Sequence, residues 1–233
     1  MKARFDRRSG PGPRPASLRS RGIGGFGWIP SVLVFLLPFL LAGCTTTPAP
    51  PTSYYLLSPA SREEAPELPE GPTLRVSRVQ VAAHVRGIAL IRPDQRVDTV
   101  VYHRWASPPE TMVEEWVREE LLQTGAFRFV AGTFSPVRTD YTLELEVRRL
   151  DVEVPERGGA PRGVVVLEGL LYSESPRAVR LSRRWSGFGT SGEGGVAGVV
   201  AALREALDEA SARLAEDLAR AVGSGIEGSP PAN

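Results

Sequence analysis

Apolar and polar residues alternate along several short segments of the chain, which is the pattern of strands that bury one face and leave the other in water. The clearest example is 141–148, where tyrosine, leucine and valine alternate with threonine, glutamate and arginine. A slip of phase within 74–81 predicts a β-bulge. We expect the run 54–57 to pair with the sheet of the domain. Further strands are predicted over 88–91, 97–102, 127–130, 165–171 and 179–185.

Two other segments carry their apolar residues at helical spacing. In the first, Ser107 is expected to cap the helix, Pro108 suits the first helical position, and Glu110 completes a Ser-x-x-Glu capping box. Gly125 is expected to end this helix. Its apolar stripe, in which Trp116 is interpreted as a core residue, consists of Met112, Val113, Trp116, Val117 and Leu121.

The second helix is predicted over 196–222, with Gly223 at its end and a disordered tail over 223–233. Together with the strands, it predicts a single α+β domain over 54–222. This domain has two layers, because a mostly antiparallel sheet carries both helices on one face. The apolar side of the second helix consists of Val199, Val200, Leu203, Leu207, Ala210, Leu214 and Leu218.

The first 43 residues have the pattern of a bacterial secretory signal. A basic segment precedes the apolar run 28–41, which is shorter than the roughly twenty residues that span a bilayer. The run ends in Leu-Ala-Gly-Cys, a bacterial lipobox whose Cys44 is the only cysteine of the chain. We expect removal of a signal peptide over 1–43 and a diacylglycerol on the Cys44 thiol, with the new α-amine acylated as well.

Residues 44–53 lack apolar periodicity and contain several prolines, which predicts an extended tether. Thr45 follows the lipobox cysteine, whereas an aspartate at that position is the usual sign of inner-membrane retention in enterobacteria. We therefore expect a lipid-anchored protein on the periplasmic face of the outer membrane.

Charge changes once the leader is removed. The whole chain has 28 basic and 27 acidic residues, and removal of residues 1–43 leaves 21 basic and 26 acidic ones. An excess of acidic residues disfavours nucleic-acid binding. Because the one thiol is expected to carry lipid, no disulfide is expected, and stability must come from an ordinary hydrophobic core.

Catalytic and metal-binding patterns are sparse in the sequence. His84 and His103 are not spaced as metal ligands, and no serine stands in a Gly-x-Ser-x-Gly elbow. The Gly-rich stretch 187–195 contains no lysine for a phosphate, so it is interpreted as a flexible connector between a strand and a helix. The paired glutamates at 114–115 and 119–120 are interpreted as a solvated helix face. We therefore expect no catalytic residue, no metal site and no cofactor beyond the lipid.

Three segments of the sequence together resemble a known family. They are Tyr-Tyr-Leu-Leu-Ser-Pro at 54–59, Val-Arg-Gly-Ile-Ala-Leu-Ile-Arg at 85–92, and Tyr-His-Arg-Trp-Ala-Ser-Pro-Pro at 102–109. With the lipobox before them, they resemble the ABC-type transport auxiliary lipoproteins. These are the paraquat-inducible-type lipoproteins that accompany MCE-domain (mammalian cell entry) lipid transport systems. The resemblance extends from Tyr54 to the last helix.

The resemblance implies an accessory role without catalysis. It implies a position at the outer membrane and work with an MCE protein, a permease and an ATPase that move lipids across the periplasm. On this hypothesis the chain is a tethered docking module. The positions expected to contact the partner or support the fold are Tyr54, Tyr55, Arg86, Arg92 and Trp105, and for Trp105 packing at the turn into the helix is an alternative.

Two other functions stay open from the sequence. One is another envelope role, in assembly or in lipopolysaccharide export, because a fold does not fix a function. The other is a periplasmic hydrolase that uses His84 or His103 as a base. An exposed sheet edge would also join copies of the chain or a partner strand, so a homo-oligomer is a further alternative.

Overall fold

The computed structural model describes residues 49–59, 70–156 and 159–226, and these form ten strands, a 3₁₀ helix (Ala83–Arg86) and two α-helices. The predicted leader, the lipobox and residues 227–233 lie outside the described residues. In chain order the elements are β1 (Ser53–Tyr55), β2 (Thr73–Val76), β3 (Gln80–Val81), β4 (Ala89–Ile91), β5 (Val97–Thr99), β6 (His103–Trp105), α1 (Pro109–Gln123), β7 (Phe129–Ala131), β8 (Tyr141–Glu153), β9 (Arg162–Glu174), β10 (Arg177–Thr190) and α2 (Gly195–Ile226).

Strand β8 organises the eight-stranded main sheet. On one side it pairs antiparallel with β9, which pairs antiparallel with β10. On its other side three short strands, β2, β3 and β4, follow one another along its length in parallel. Strand β7 then lies beside β2, and β5 forms a hairpin with β4. The predicted α+β class, with a mostly antiparallel sheet and two helices, is confirmed.

The alternation predicted for β8 is confirmed, and it changes phase once. Leu143, Leu145 and Val147 are buried, and a register shift then follows between Val147 and Arg149. Beyond this irregularity the buried apolar residues stand at even positions, Leu150 and Val152. The shift keeps one face of a long strand against the core although the strand twists.

Two predicted strands differ from the structure. The predicted strand 74–81 consists of β2 and β3, which pair with β8 separately, and the predicted strand 97–102 ends at Thr99. Tyr102 has a φ of 62°, in the left-handed region, so the chain turns there before β6 begins. By strict alternation with Leu181 and Trp185, Val179 would face the core, but it is exposed, because the register of β10 shifts between Val179 and Leu181.

Helix α1 buries its predicted stripe, but its capping differs from the prediction. The N-cap residue is Pro108, Pro109 is the first helical residue, and no side chain caps this end. The predicted capping box of Ser107 and Glu110 is therefore wrong, and the helix begins one residue later than predicted. Both Pro108 and Pro109 suit a first turn, so the sequence does not distinguish them. Gly125, with a φ of 65°, follows the helix end as predicted.

Helix α2 contacts strands β9 and β10 almost backbone to backbone. A Cβ atom on Gly187 would overlap the carbonyl oxygen of Ala206 and lie 2.6 Å from the amide nitrogen of Ala210. Gly163 and Gly189 face the backbone at Ala202 in the same way. The interpretation of 187–195 as a flexible connector is therefore wrong for residues 187–190, which belong to β10. They read as a loop because glycine is usually a turn residue.

The far end of α2 extends past Gly223 to Ile226, so the predicted helix end is wrong and the first four residues of the predicted tail are helical. A glycine inside a helix costs about 1 kcal/mol, which the packing of Val222 in the core offsets.

One buried carboxylate joins α2 to β10. Asp217 is 7% exposed and accepts a 2.8 Å hydrogen bond from the indole nitrogen of Trp185, itself 3% exposed. Arg183 and Arg220 contact the same carboxylate at 2.8 and 2.6 Å. The buried charge is thus both hydrogen-bonded and neutralised, as burial of a charge requires.

We predict that Gly187→Ala destabilises the domain by about 2 kcal/mol or more, because the added methyl group must push α2 away from β10. The matched control is Gly192→Ala, whose Cβ would meet nothing within 4 Å. Urea unfolding followed by far-UV circular dichroism measures both free energies. Equal stability of the two variants would contradict the close contact.

Candidate docking surfaces

The tether enters the domain through a second, two-stranded sheet. Strand β1 pairs in parallel with β6, so that Tyr54 lies opposite Arg104. The amide of Ser53 donates to the carbonyl of Tyr102 at 2.8 Å, and the amide of Ala106 donates to the carbonyl of Tyr55 at 2.7 Å. The expectation that 54–57 joins the main sheet is therefore wrong, because β1 pairs with β6 in a separate sheet.

The inward face of this small sheet packs on the domain. Tyr55 and His103 lie on that face, and the Tyr55 hydroxyl is 3.0 Å from Nδ1 of His103. Trp105 is 8% exposed and belongs to the core, and the amide of Leu57 lies 3.4 Å from the sulfur of Met112 in α1. Tyr55 and Trp105 thus support the fold, which favours the packing alternative for Trp105.

The outward face of the same sheet is unusually apolar. Side chains alternate along a strand, so the residues between the inward ones point away from the domain. Tyr54 is 66% exposed, and Leu56 just after β1 and Val101 and Tyr102 just before β6 are also exposed. We call this surface the tether-proximal face, and it consists of Tyr54, Leu56, Val101, Tyr102 and Arg104.

Arg86 lies beside the tether-proximal face, whereas Arg92 forms an ion pair elsewhere. A groove of about 730 Å³ is lined by Arg86 together with Val101, Tyr102 and Arg104. Arg92 instead contacts Asp98 at 2.9 Å across the β4–β5 hairpin. This hydrogen bond holds the pKa of Asp98 below its ordinary value. Of the five predicted positions, Tyr54 and Arg86 are the ones available to a partner.

The chemical candidates are not assembled into a site within the described residues. No group of three or more His, Cys, Asp or Glu side chains there has the arrangement of a metal site. His84 is exposed on the 3₁₀ helix. Glu114, interpreted as part of a solvated face, instead fixes the loop after β7, because its carboxylate accepts 3.0 Å hydrogen bonds from the amide and hydroxyl of Thr133.

The outer edge of β10 is capped over its last residues and open before them. The amides of Phe188 and Thr190 donate to Glu209 and Glu205 of α2 at 2.6 and 2.7 Å, and the carbonyl of Ser186 accepts from Arg213 at 2.7 Å. Even-numbered residues therefore direct their backbone groups away from β9.

The same alternation, with no register shift after Leu181, directs the backbone of Ser182 and Arg184 outward. We call residues 181–185 the free edge of β10, since no other strand of the described residues pairs there. A strand edge of this kind is a template for a further strand. The signal for it was absent from the sequence, because strand order decides which strand is an edge.

The solvated face of the sheet carries the cross-strand pairs expected from the alternation of Glu and Arg. Glu168 on β9 contacts Arg184 on β10 at 2.7 Å and Arg148 on β8 at 3.1 Å. These hydrogen bonds, that of Arg184 first, hold the pKa of Glu168 below its ordinary value. The glutamates and arginines that alternate with apolar residues along these strands thus pair across the face that points to water.

Comparison with known proteins identifies the family. The model of the ABC-type transport auxiliary lipoprotein component matches residues 54–215. The chain belongs to this family. The chain is also similar to the crystal structure of protein XCC0632 from Xanthomonas campestris, with 22% identity, a TM-score of 0.62, and coverage of 75% of this chain and 99% of that chain.

A second crystal structure, of an uncharacterized protein, shares 20% identity and has a TM-score of 0.56, covering 72% of this chain and 99% of that chain. At these identities the two structures show the shared fold alone. No curated protein matches the chain significantly. Among the described residues of this auxiliary lipoprotein, neither helix has the length and apolar content needed to cross a bilayer.

We predict that replacing Glu205 and Glu209 together by alanine speeds amide hydrogen exchange at Phe188 and Thr190 by about fivefold, since each amide loses a hydrogen bond worth about 1 kcal/mol. Asp208→Ala, an exposed position on the same helix, is the control. NMR-detected exchange measures the rates, and unchanged exchange in the double variant would show that the edge is protected in another way.

Proposed function

We propose that the chain is a lipid-anchored accessory protein of an MCE-type lipid transport system, held by Cys44 at the periplasmic face of the outer membrane. Its role is to dock and position the MCE-domain protein, and it performs no chemistry itself. Membership of the ABC-type transport auxiliary lipoprotein family supports the transport role. The lipobox at 41–44 and Thr45 after it support the anchor and the membrane.

The observation that carries the docking role is the free edge of β10. Ser182 and Arg184 present outward backbone groups there, whereas α2 side chains already cap Ser186, Phe188 and Thr190. A partner strand would extend the sheet by main-chain hydrogen bonds, with neighbouring side chains adding selectivity.

The anchor is tested by Cys44→Ala. We expect this variant to incorporate no radiolabelled palmitate and to leave the outer-membrane fraction of a density gradient, because acyl chains alone hold the protein there. Thr52→Ala, which keeps the lipobox, should behave as the wild type. A palmitate label that persists in Cys44→Ala, or an unchanged outer-membrane fraction, would refute the anchor.

The docking edge is tested by Ser182→Pro, with Ser182→Ala as the matched control. Proline removes an outward amide and places its ring on the edge, while the hydrogen bonds from β10 to β9 use odd-numbered residues. We expect Ser182→Pro to reduce co-purification with the MCE-domain protein about tenfold or more, at unchanged melting temperature. Ser182→Ala should retain the partner.

Two results would contradict this assignment. If Ser182→Pro retains the MCE-domain protein, the partner does not bind this edge. If the variant instead loses self-association in size-exclusion chromatography while keeping the MCE-domain protein, the free edge joins copies of the chain, which is the homo-oligomer alternative.

A further inference from the structure

The tether-proximal face exposes apolar side chains, although the small sheet packs on the domain through other residues. Packing on the domain already comes from inward residues, as the burial of Trp105 in β6 and of Leu57 after β1 shows. Val101, which precedes β6, is 69% exposed, and Leu56, which follows β1, is 52% exposed. With Tyr54 and Tyr102, they place four exposed apolar or aromatic side chains around one two-stranded sheet, and exposed apolar patches mark interaction surfaces.

The same face is positively charged. Arg86 and Arg104 are exposed, and neither forms an ion pair within the described residues. No acidic residue occurs between Thr99 and Pro109, so no neighbour in this segment neutralises them. The chain from which the leader has been removed is acidic as a whole, so this local excess of positive charge runs against the composition.

Chain length brings this face close to the anchor. Ser53 is the ninth residue after Cys44, and a fully extended chain of nine residue steps spans about 30 Å at most. Tyr54, the first residue of the face, is the next residue along. A surface tethered this closely meets the bilayer at a high effective concentration, so that a weak contact is sufficient.

We infer that the tether-proximal face, together with Arg86, rests on an anionic phospholipid surface. Leu56 and Val101 enter the interfacial region, the two tyrosines lie at headgroup level, and the two arginines face the phosphates. The inference rests on the proposed lipid anchor at Cys44. It goes beyond that anchor because it fixes which side of the domain faces the membrane and leaves the free edge of β10 for a protein.

A fluorescent label at residue 101 tests the contact in the full-length, processed lipoprotein. Val101→Cys is labelled with an environment-sensitive dye and reconstituted into vesicles of phosphatidylcholine with about a quarter phosphatidylglycerol. The acylated Cys44 takes no dye, so the introduced thiol is the one labelled. Val179→Cys is the matched control, since Val179 is 64% exposed.

The control label lies far from the proposed contact. Val179 pairs with Tyr172 of β9, which lies opposite Thr142 of β8. Near the other label, the amide of Val100 donates to the carbonyl of Ile88, and the next residue, Ala89, lies opposite Asp151 of β8. Nine residues of β8 separate these two levels, which is about 30 Å. We expect a blue shift and quenching by lipid-attached quenchers at residue 101 and neither at residue 179.

Charge reversal tests the electrostatic part. Arg86→Glu with Arg104→Glu should lower the membrane-contact equilibrium at residue 101 by about tenfold or more, since each arginine near an anionic surface contributes to binding. The control is Arg128→Glu with Arg138→Glu, two exposed arginines at the Tyr141 end of β8 without ion pairs in the described residues. This control should leave the quenching unchanged.

The outcomes separate the face from the anchor. Dye uptake by the wild type would show a free Cys44 and refute the proposed anchor. A water-like label at residue 101 with Cys44 blocked, or equal responses at residues 101 and 179, would overturn the membrane contact alone. A response at residue 101 that requires added MCE-domain protein would overturn it as well, and would assign the face to that protein.

Discussion

The close contact between α2 and the glycines of β9 and β10 is the constraint on which the domain depends. Three glycines without side chains let a helix backbone lie against two strands, and Ala202, Ala206 and Ala210 provide the matching small surface. Close approach increases dispersion contacts over the whole length of the helix. It also brings the glutamates of α2 within reach of the edge of β10, so that packing in the core determines which part of that edge stays open.

Strand β8 connects the two strands covered by α2 to the other half of the domain. Its antiparallel side carries two strands of similar length, and its parallel side carries three short ones in series. The small sheet of β1 and β6 is attached where α1 begins, while the free edge lies on the far side of β9. A lipid surface and a protein partner would therefore contact different strands, and the two proposed interactions do not compete for residues.

The spacing of apolar and charged residues predicted the features that depend on neighbours in the sequence. The stripe of α1, the alternation in β8 and the Glu–Arg pairs on the solvated face all follow from spacing, and the structure has them. Contacts distant in sequence decided the rest. Gly187 and Gly189 look like loop residues until α2 is placed on them, and β1 finds β6 some 50 residues away. Among the proposed contact positions, the type of residue did not separate Tyr54 from Tyr55 or Arg86 from Arg92, because strand facing and an ion pair make that distinction.

The parallel pairing of β1 with β6 also has a mechanical consequence. A pull along the tether would act parallel to β1 and load its hydrogen bonds to β6 together, in shear, instead of opening them one after another. The contacts of Tyr55 with His103 and of Leu57 with Met112 would pass that load into α1 and the core. An envelope protein held at one end by lipid and at the other by a transport partner would thereby resist tension at the point where its chain enters the domain.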